Sequence, residues 1–410
     1  MNKGINRFLK VYPWYSGLTG DLLFYIAVDT LFLTIVKNFS AAEIVSITSL
    51  AQLICIMLQF PILFVIKKIG NTASVRTGAF FLLLSSVFIA FGKSYYLVLL
   101  GRIFHDVAAI FKTACVVALE NNLDLANRKS DFVRYRTSAN TVYAVVTMLI
   151  SFVASYMFNL NHYLPMIGCI TTCSIGFVLS LFIKDYSNYN KITYKKKSGA
   201  KVKIQYNKIV IIGVILYAFF YSIVTNGQNE GKLFIQQNIL LDFDVAKTSL
   251  IIGVIICVSR VIRVISNVIF EKLYKKHMHK MGIALPVLLS TAIGFMLFGS
   301  FISNVIAKIL VMAMGYTIIL FIRDPFKLYM QDVIFESTPK EQHQTLLTVL
   351  AFGVKLATAG IGLSFSSILL SHSMLVVIAI MFAIALIEVI LGIILYRSIM
   401  IGKEMLKNKS

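Results

Sequence analysis

Seven Lys or Arg side chains lie deep inside apolar segments that are long enough to cross a membrane. They are Arg102, Lys112, Arg260, Arg263, Arg323, Lys327 and Lys355. A charge near the centre of a bilayer costs at least ~2.5–3.5 kcal/mol on insertion scales, so these side chains are not expected to face lipid. They must line a polar cavity or pair with acids. The first hypothesis is therefore a path for something negatively charged.

The densest cluster of charges lies in the segment 305–334, and a second polar stripe lies in the segment 246–270. Arg323 and Lys327 are four residues apart and share a helix face, and Pro325 between them is expected to kink the helix. Arg260 and Arg263 are three apart, and an arginine fork grips carboxylate or phosphate with two hydrogen bonds. We predict that six of the deep bases bind an anionic substrate: Arg260, Arg263, Arg323, Lys327, Lys355 and Lys112. The alternative is a set of ion pairs that hold helices together.

A second set of titratable residues suits proton transfer. It comprises Asp21, Arg102, His105, Asp106 and Asp324. Asp21 is the best candidate for a proton carrier, because a nearby base and a changing environment would alter its ionisation. His105 adjoins Asp106 and belongs to the residue type that titrates near neutral pH. A fixed ion pair between Asp21 and an arginine is the alternative.

The composition predicts the elements that position these residues. The chain of 410 residues is 58% hydrophobic and 14% charged, with a mean hydropathy of +0.82, whereas a soluble domain carries about 25% charged residues. A span of about 20 apolar residues crosses the hydrocarbon core as a helix. We predict an all-α membrane protein whose twelve transmembrane helices are 13–36, 42–66, 75–92, 95–119, 138–158, 163–183, 208–237, 246–270, 281–302, 305–334, 344–370 and 373–397.

The basic residues that give the net charge of +21 lie mostly in loops and at the termini rather than on one soluble face. Most Lys and Arg fall at the two termini and in alternate loops, whereas only Lys37, Lys93 and Lys247 fall in the opposite loops or at their edges. This asymmetry predicts that both termini are cytoplasmic and that the basic loops contact anionic lipids. No soluble segment is long enough for a nucleic-acid-binding domain, so we exclude nucleic acid as a partner. The basic N-terminus leads into a retained first helix rather than a cleaved signal peptide.

The Lys-rich stretch between 184 and 208 divides the chain. We predict an N-terminal six-helix bundle at 1–183, a basic cytoplasmic linker at 184–207 and a C-terminal six-helix bundle at 208–410. Thr-Ser-Leu at 48–50 recurs at 248–250, and Phe-Lys at 111–112 recurs at 326–327, as expected of repeated halves. A polar run with two glycines at 225–232 predicts a break in helix 7. That break is either a gate or binding site, or the start of an external loop.

At this point the chain resembles the major facilitator superfamily. The stretch 99–106 reads Leu-Leu-Gly-Arg-Ile-Phe-His-Asp, and Arg102 falls where that family's helix 4 has its arginine. Lys68 and Gly70 match its loop between helices 2 and 3. Asp106 replaces a usual glycine and Lys67 a usual aspartate. The resemblance implies that helices 1, 4, 7 and 10 line a central cavity, with 2, 5, 8 and 11 beside them and 3, 6, 9 and 12 outside.

Motifs that the sequence lacks narrow the class of protein. The chain contains no phosphate loop, no His-Glu-x-x-His and no serine elbow, so we expect neither an enzyme nor a cofactor. Its five cysteines fall in apolar spans and are interpreted as packing residues. We predict a monomeric secondary active transporter in the bacterial cytoplasmic membrane, working by alternating access on an organic or phosphorylated anion, with protons as the coupling ion. The alternatives are a drug or peptide exporter, a lipid flippase and a non-transporting sensor; helix 5 lacks the Gly-Pro motif of proton-driven drug exporters.

Overall fold

The computed structural model describes residues 2–187, 208–277, 280–338 and 343–407. Within those ranges the chain is helical and has no strand, which confirms the predicted all-α class. The helices are α1 (Asn2–Leu18), α2 (Leu23–Leu31), α3 (Ala41–Phe91), α4 (Tyr95–Leu125), α5 (Phe132–Leu160), α6 (Leu164–Ser180), α7 (Lys208–Leu240), α8 (Val245–His277), α9 (Met281–Gly299), α10 (Val305–Glu336), α11 (His343–Ile368) and α12 (Met374–Lys407). From α4 onwards these numbers equal those of the predicted helices.

Predicted helices 2 and 3 correspond to the single long α3. Its 51 residues would extend about 75 Å as one straight helix, more than twice the hydrocarbon thickness. Gly70 interrupts it with φ 81° and ψ 167°, between the two predicted spans. A Cβ at Gly70 would meet no atom within 4 Å, so glycine is needed there for its backbone conformation rather than for space.

Side-chain caps fix the start of several helices. Ser40 and Glu43 form a reciprocal capping box at the start of α3. The Ser94 side chain accepts a hydrogen bond from the Leu97 amide at the start of α4. Asn304 does the same for Ala307 at the start of α10. These caps satisfy amide groups that have no partner inside the helix.

Nine helical stretches among the described residues are long and apolar enough to cross a membrane. The stretch Ala41–Phe91 counts once, although Gly70 divides it. The nine do not include α4, which carries Arg102, Asp106 and Lys112, or α6, which has 17 residues. The membrane character is therefore shown, and the number twelve stays a prediction.

Backbone contacts divide the chain into two compact units. The first, here called the N unit, comprises Met1–Lys197 and Val245–Cys257, and the second, the C unit, comprises Ser198–Asp244 and Val258–Ser410. The start of α8 groups with the N unit because Ser249 Oγ donates to Ser155 O at 3.0 Å and Gly253 packs against Ser155. The predicted boundaries put this start of α8 in the C-terminal bundle. The boundaries at 183 and 208 stay predictions. Residues 188–207 of the predicted linker lie outside the described residues.

The described start of the linker is attached to the N unit. Asp185 accepts hydrogen bonds from Asn71 Nδ2 at 2.7 Å and from Asn121 Nδ2 at 2.9 Å. It also accepts the amide and hydroxyl of Ser187. Asn122 binds the same stretch at two points, because its Nδ2 donates to Lys184 O and its Oδ1 accepts a hydrogen bond from the Tyr186 amide. These bonds hold residues 184–187 against the end of α4 and the bend of α3.

Close packing in each unit uses small or aromatic residues. In the N unit, Phe8, Tyr12 and Tyr15 of α1 pack with Ala114 and Ala118 of α4. In the C unit, Gly315 of α10 lies against Ala292 and Met296 of α9, and Gly392 of α12 lies against the Gly282 carbonyl of α9. Small residues let helix backbones approach closely, which is the usual packing of helices in membranes.

Candidate functional site

Predicted helix 1 is interrupted inside the N unit. Helix α1 ends at Leu18 and α2 begins at Leu23, so residues 19–22 are not helical. Asp21 lies in this break, and its Oδ1 accepts a hydrogen bond from the Leu22 amide at 2.8 Å. Irregular backbone at membrane depth persists only where it is buried in protein or lines a cavity. The sequence did not predict this break, and it places a carboxylate where two half-helices meet.

His105 of α4 connects Asp21 to Asp106. Its Nε2 lies 2.9 Å from Asp21 Oδ1, and its Nδ1 lies 3.0 Å from Asp106 Oδ1. A neutral imidazole carries one N–H, so satisfying both contacts requires a second proton, on the ring or on a carboxyl group. Arg102 Nη2 lies 3.9 Å from Asp106 Oδ1 and adds positive charge. Four of the five residues predicted for proton coupling therefore form one network.

Lys112 lies two helical turns from His105 along α4. Its Nζ donates to the Ser16 carbonyl of α1 at 2.8 Å. Lys112 and His105 line the same cavity of about 90 Å³, together with Tyr15 and Thr19. The structure thus places this predicted substrate-binding lysine beside the break in helix 1.

Two polar contacts hold α8 against α10 in the C unit. Arg263 Nε donates to Asp324 Oδ2 at 2.8 Å, and Arg263 Nη2 donates to Asp324 Oδ1 at 3.0 Å. One turn earlier, Ser259 Oγ and Thr317 Oγ1 lie 3.0 Å apart. Asp324, the fifth residue predicted for proton coupling, is thus the partner of Arg263, which was predicted to bind substrate. Each carries the other's counter-charge.

Arg323 of α10 is oriented by neutral partners on α7. Its Nε donates to Tyr221 Oη at 3.1 Å and its Nη1 donates to Gln228 Oε1 at 2.9 Å. The guanidinium carbon lies 5.6 Å from the centroid of the Tyr221 ring, which is a cation–π distance. These two neutral acceptors fix the direction of the guanidinium group.

The other predicted bases of the C unit differ in exposure. The Nε atom of Arg260 is buried and has no hydrogen-bond acceptor among the described residues. Lys327 is exposed and Lys355 is half-buried. Arg260 lies on the turn of α8 between Ser259 and Arg263, both of which contact α10. The roles of these bases in binding substrate stay predictions.

The predicted break in helix 7 is wrong, because α7 is continuous from Lys208 to Leu240. Gly227 packs against Ile319, and Gly231 packs against Met296, so both glycines allow close helix contact rather than a bend. The polar side chains of the run face protein: Asn226 is 3% exposed and Glu230 is 2% exposed. A helix satisfies its own backbone, so burial of polar side chains alone does not interrupt it.

Of the two residues that orient Arg323, Gln228 lies in the polar run 225–232 noted in the sequence, whereas Tyr221 was not singled out. Tyr221 and Gln228 are seven residues apart, which places them on one face of α7 two turns apart. That spacing is a signal that the sequence contains. The Ser16 carbonyl that receives Lys112 has no comparable signal, because a backbone acceptor is free only where the helix is broken.

The sequence profile of the Major Facilitator Superfamily matches residues 17–333. No curated protein has a significantly similar sequence. The crystal structure of a mutant of the nucleoside transporter NupG aligns with a TM-score of 0.74 and 11% identity, over 95% of this chain and 99% of that one. A bacterial homologue of the iron transporter ferroportin, in its inward-facing state, aligns with a TM-score of 0.71 and 13% identity, over 97% and 99%.

A second structure of NupG aligns with a TM-score of 0.69 and 12% identity, over 96% of this chain and 98% of that one. At these identities the structural matches show a shared fold, and the profile match, which covers well over half of the chain, shows the family. The chain belongs to the Major Facilitator Superfamily and is a membrane transporter rather than an enzyme.

Proposed function

We propose that this secondary transporter moves an organic or phosphorylated anion by alternating access. The observation that carries the proposal is the buried Nε of Arg260, for which the described residues supply no acceptor. Leaving a buried donor of a charged group unpaired costs free energy, typically a few kcal/mol. A bound anion supplies both the acceptor and the counter-charge. We assign the same role to Lys327 and Lys355, as point charges that attract the anion.

Arg323 supports the proposal through its orientation. Tyr221 and Gln228 hold its fork in one direction without contributing negative charge. A fork that is already fixed loses less side-chain entropy when it binds carboxylate or phosphate. In contrast, Arg263 is already engaged by Asp324, so we assign it to holding α8 against α10 while that pair is closed.

We further propose that protons drive the transport through Asp21, His105 and Asp106. The two short contacts of His105 require one proton more than a neutral ring and two carboxylates supply. A movement of the break at 19–22 away from α4 would separate Asp21 from His105 and change how strongly that proton is held. Arg102 contributes positive charge beside Asp106.

The fold alone does not select the substrate. Structures that share it include a nucleoside transporter and a homologue of an iron transporter, and one fold commonly serves many substrates. The proposal of an anion therefore rests on the side chains of this chain. The Lys and Arg asymmetry supports a topology with both termini inside the cell. A monomer in the bacterial cytoplasmic membrane is a further part of this proposal.

The test is binding of a chemical panel to the purified, monodisperse protein. The panel contains carboxylates and phosphate monoesters, with neutral nucleosides and metal cations for comparison. We expect anions to bind the parent, and we expect Arg323→Gln and Arg260→Gln to weaken that binding by about 30-fold or more. The exposed Lys93 between α3 and α4 provides the control, and Lys93→Gln should bind as the parent does. If both arginine variants also bind as the parent does, or if only cations or neutral nucleosides bind, the proposal is wrong.

A further inference from the structure

The break in helix 1 changes the hydrogen bonding of the last turn of α1. In a continuous helix the Gly20 amide would donate to the Ser16 carbonyl. Here the Gly20 amide donates to Gly17 O at 3.2 Å. The Ser16 carbonyl is thereby released, and Lys112 Nζ donates to it at 2.8 Å. The broken helix therefore determines where the ammonium group of Lys112 lies.

Lys112 retains donors at that position. An ammonium group has three N–H donors, and the Ser16 carbonyl takes one of them. Ser16 O is also a neutral acceptor, so it leaves the charge of Lys112 in place. No carboxylate is within ion-pair distance of Lys112 among the described residues.

The adjoining cavity is the space into which Lys112 faces. Its volume is about 90 Å³, and its polar lining comprises Tyr15, Thr19, His105 and Lys112. Two of these side chains are basic, and the described lining contains no acid. The hydroxyl groups already donate elsewhere, because Thr19 Oγ1 donates to Tyr15 O and Tyr15 Oη donates to Val75 O. The remaining donors in the cavity are those of Lys112.

The charges around His105 balance one another at most, so Lys112 supplies the positive charge of the cavity. Asp21 and Asp106 both contact His105, and Arg102 lies beside Asp106. Lys112 has no such partner. A water needs about 10–15 Å³ of such space. A cavity of about 90 Å³ therefore has room for a phosphate or carboxylate group and a few waters.

We propose that this cavity binds an oxyanion group, either phosphate or carboxylate, through Lys112. The site uses no residue of the C unit, so it is a second anion site beyond the one assigned to Arg260 and Arg323. It rests on the proposed function only where the oxyanion is the acidic group of the transported molecule. A free inorganic ion would use the same donors, and the experiment separates these two sources.

The experiment measures binding of inorganic phosphate and of phenyl phosphate to the purified full-length protein by calorimetry. Lys112→Met removes the ammonium group and keeps the length of the side chain. Ala109→Phe fills the cavity from a position that is otherwise exposed and leaves every charge in place. We expect each variant to weaken phosphate binding by about 10- to 100-fold, as for loss of a hydrogen bond to a charged group. Lys93→Met, in the loop after α3, is the matched control and should bind as the parent does.

The outcomes distinguish this site from the proposed transport site. Loss of phosphate binding in Lys112→Met and Ala109→Phe, with retention in Arg323→Gln, supports a separate site in the N unit. Phenyl phosphate that binds about tenfold more tightly than phosphate identifies an organic ligand, and equal affinities identify a free ion. Failure of both ligands to bind the parent overturns the inference, as does unchanged binding in Ala109→Phe. If Lys112→Met does not fold, Ala109→Phe alone decides.

Discussion

Arg263 and Asp324 share two parallel hydrogen bonds between α8 and α10, of 2.8 and 3.0 Å. Their side chains are 30% and 25% exposed, so water screens the pair only in part. The fork uses both carboxylate oxygens, which is the strongest geometry available to an arginine. A pair of opposite charges in this arrangement is a structural link between two helices, and opening it would free an arginine and a carboxylate at the same time.

The first prediction tests this link with a double-mutant cycle. Arg263→Gln and Asp324→Asn should each lower the unfolding temperature of the purified protein, because each leaves one charge without its partner. The double variant should lose less unfolding free energy than the two single variants lose together, and the difference is a coupling of about 1–3 kcal/mol. Lys93→Gln, in the exposed loop between α3 and α4, serves as the control and should add to Asp324→Asn without coupling. Additive effects of Arg263→Gln and Asp324→Asn would show that the pair contributes nothing to stability.

The second prediction concerns proton coupling. Asp21→Asn removes the carboxylate that His105 Nε2 contacts, so the network should no longer hold the extra proton. We expect proteoliposomes with this variant to lose uphill accumulation driven by a pH gradient and to retain exchange of substrate. His105→Gln should have the same effect, since its amide cannot gain or lose a proton in this pH range.

The matched control for that experiment is Asp131→Asn, at a carboxylate paired with Arg128 outside the network. It should preserve both activities. Equal loss of accumulation and exchange in Asp21→Asn would indicate a structural ion pair instead of a proton carrier. Undiminished accumulation would remove Asp21 from the mechanism.

The third prediction concerns the orientation of Arg323. Tyr221→Phe removes the acceptor of Arg323 Nε and keeps the aromatic ring beneath the guanidinium. One neutral hydrogen bond contributes about 0.5–1.5 kcal/mol, so anion affinity should fall by roughly 2- to 12-fold. Arg323→Lys should restore only part of the binding lost in Arg323→Gln, because an ammonium group lacks the fork. Full recovery in Arg323→Lys would mean that charge alone is recognised.

The helices could be predicted well because apolar length is recorded directly in the sequence. Helices α9 and α10 begin at Met281 and Val305, the predicted starting positions. The position of the break could not be predicted, because contacts between helices decide it. The run with two glycines remains helical, since Gly231 packs against Met296. The break occurs instead at 19–22, where Lys112 of another helix takes a released carbonyl.

In the candidate site too, the sequence predicts the residue types but not their partners. The sequence identifies which charges are buried in apolar segments, but it does not say which of them meet. Asp324 lies 61 residues from Arg263, and local spacing on one helix carries no information about such a pair. His105 and Asp21 are 84 residues apart. In both cases helix packing converts two predicted candidates into one interaction.

The fourth prediction is a stability effect at the start of the linker. Asp185 accepts four hydrogen bonds, from Asn71, Asn121 and the amide and hydroxyl of Ser187. Asp185→Ala should destabilise the protein by about 1–3 kcal/mol, because it leaves partly buried amide donors unpaired. Asp124→Ala is the control: Asp124 is 59% exposed and pairs with Lys129 at the surface, where such pairs contribute little. Equal unfolding temperatures for the two variants would contradict the role of Asp185.

The fifth prediction is the topology, which follows from the uneven distribution of Lys and Arg. The charge pattern places 184–207 in the cytoplasm and the loop containing Lys93 outside. The test begins from a variant with all five cysteines replaced by alanine, a small change at each site that breaks no disulfide because all five are free. In that background Lys93→Cys should react with a membrane-impermeant maleimide on intact cells, whereas Ser198→Cys should react only after permeabilisation. Labelling of Ser198→Cys from outside would reverse the orientation, and with it the side of the membrane to which the basic linker and both termini are assigned.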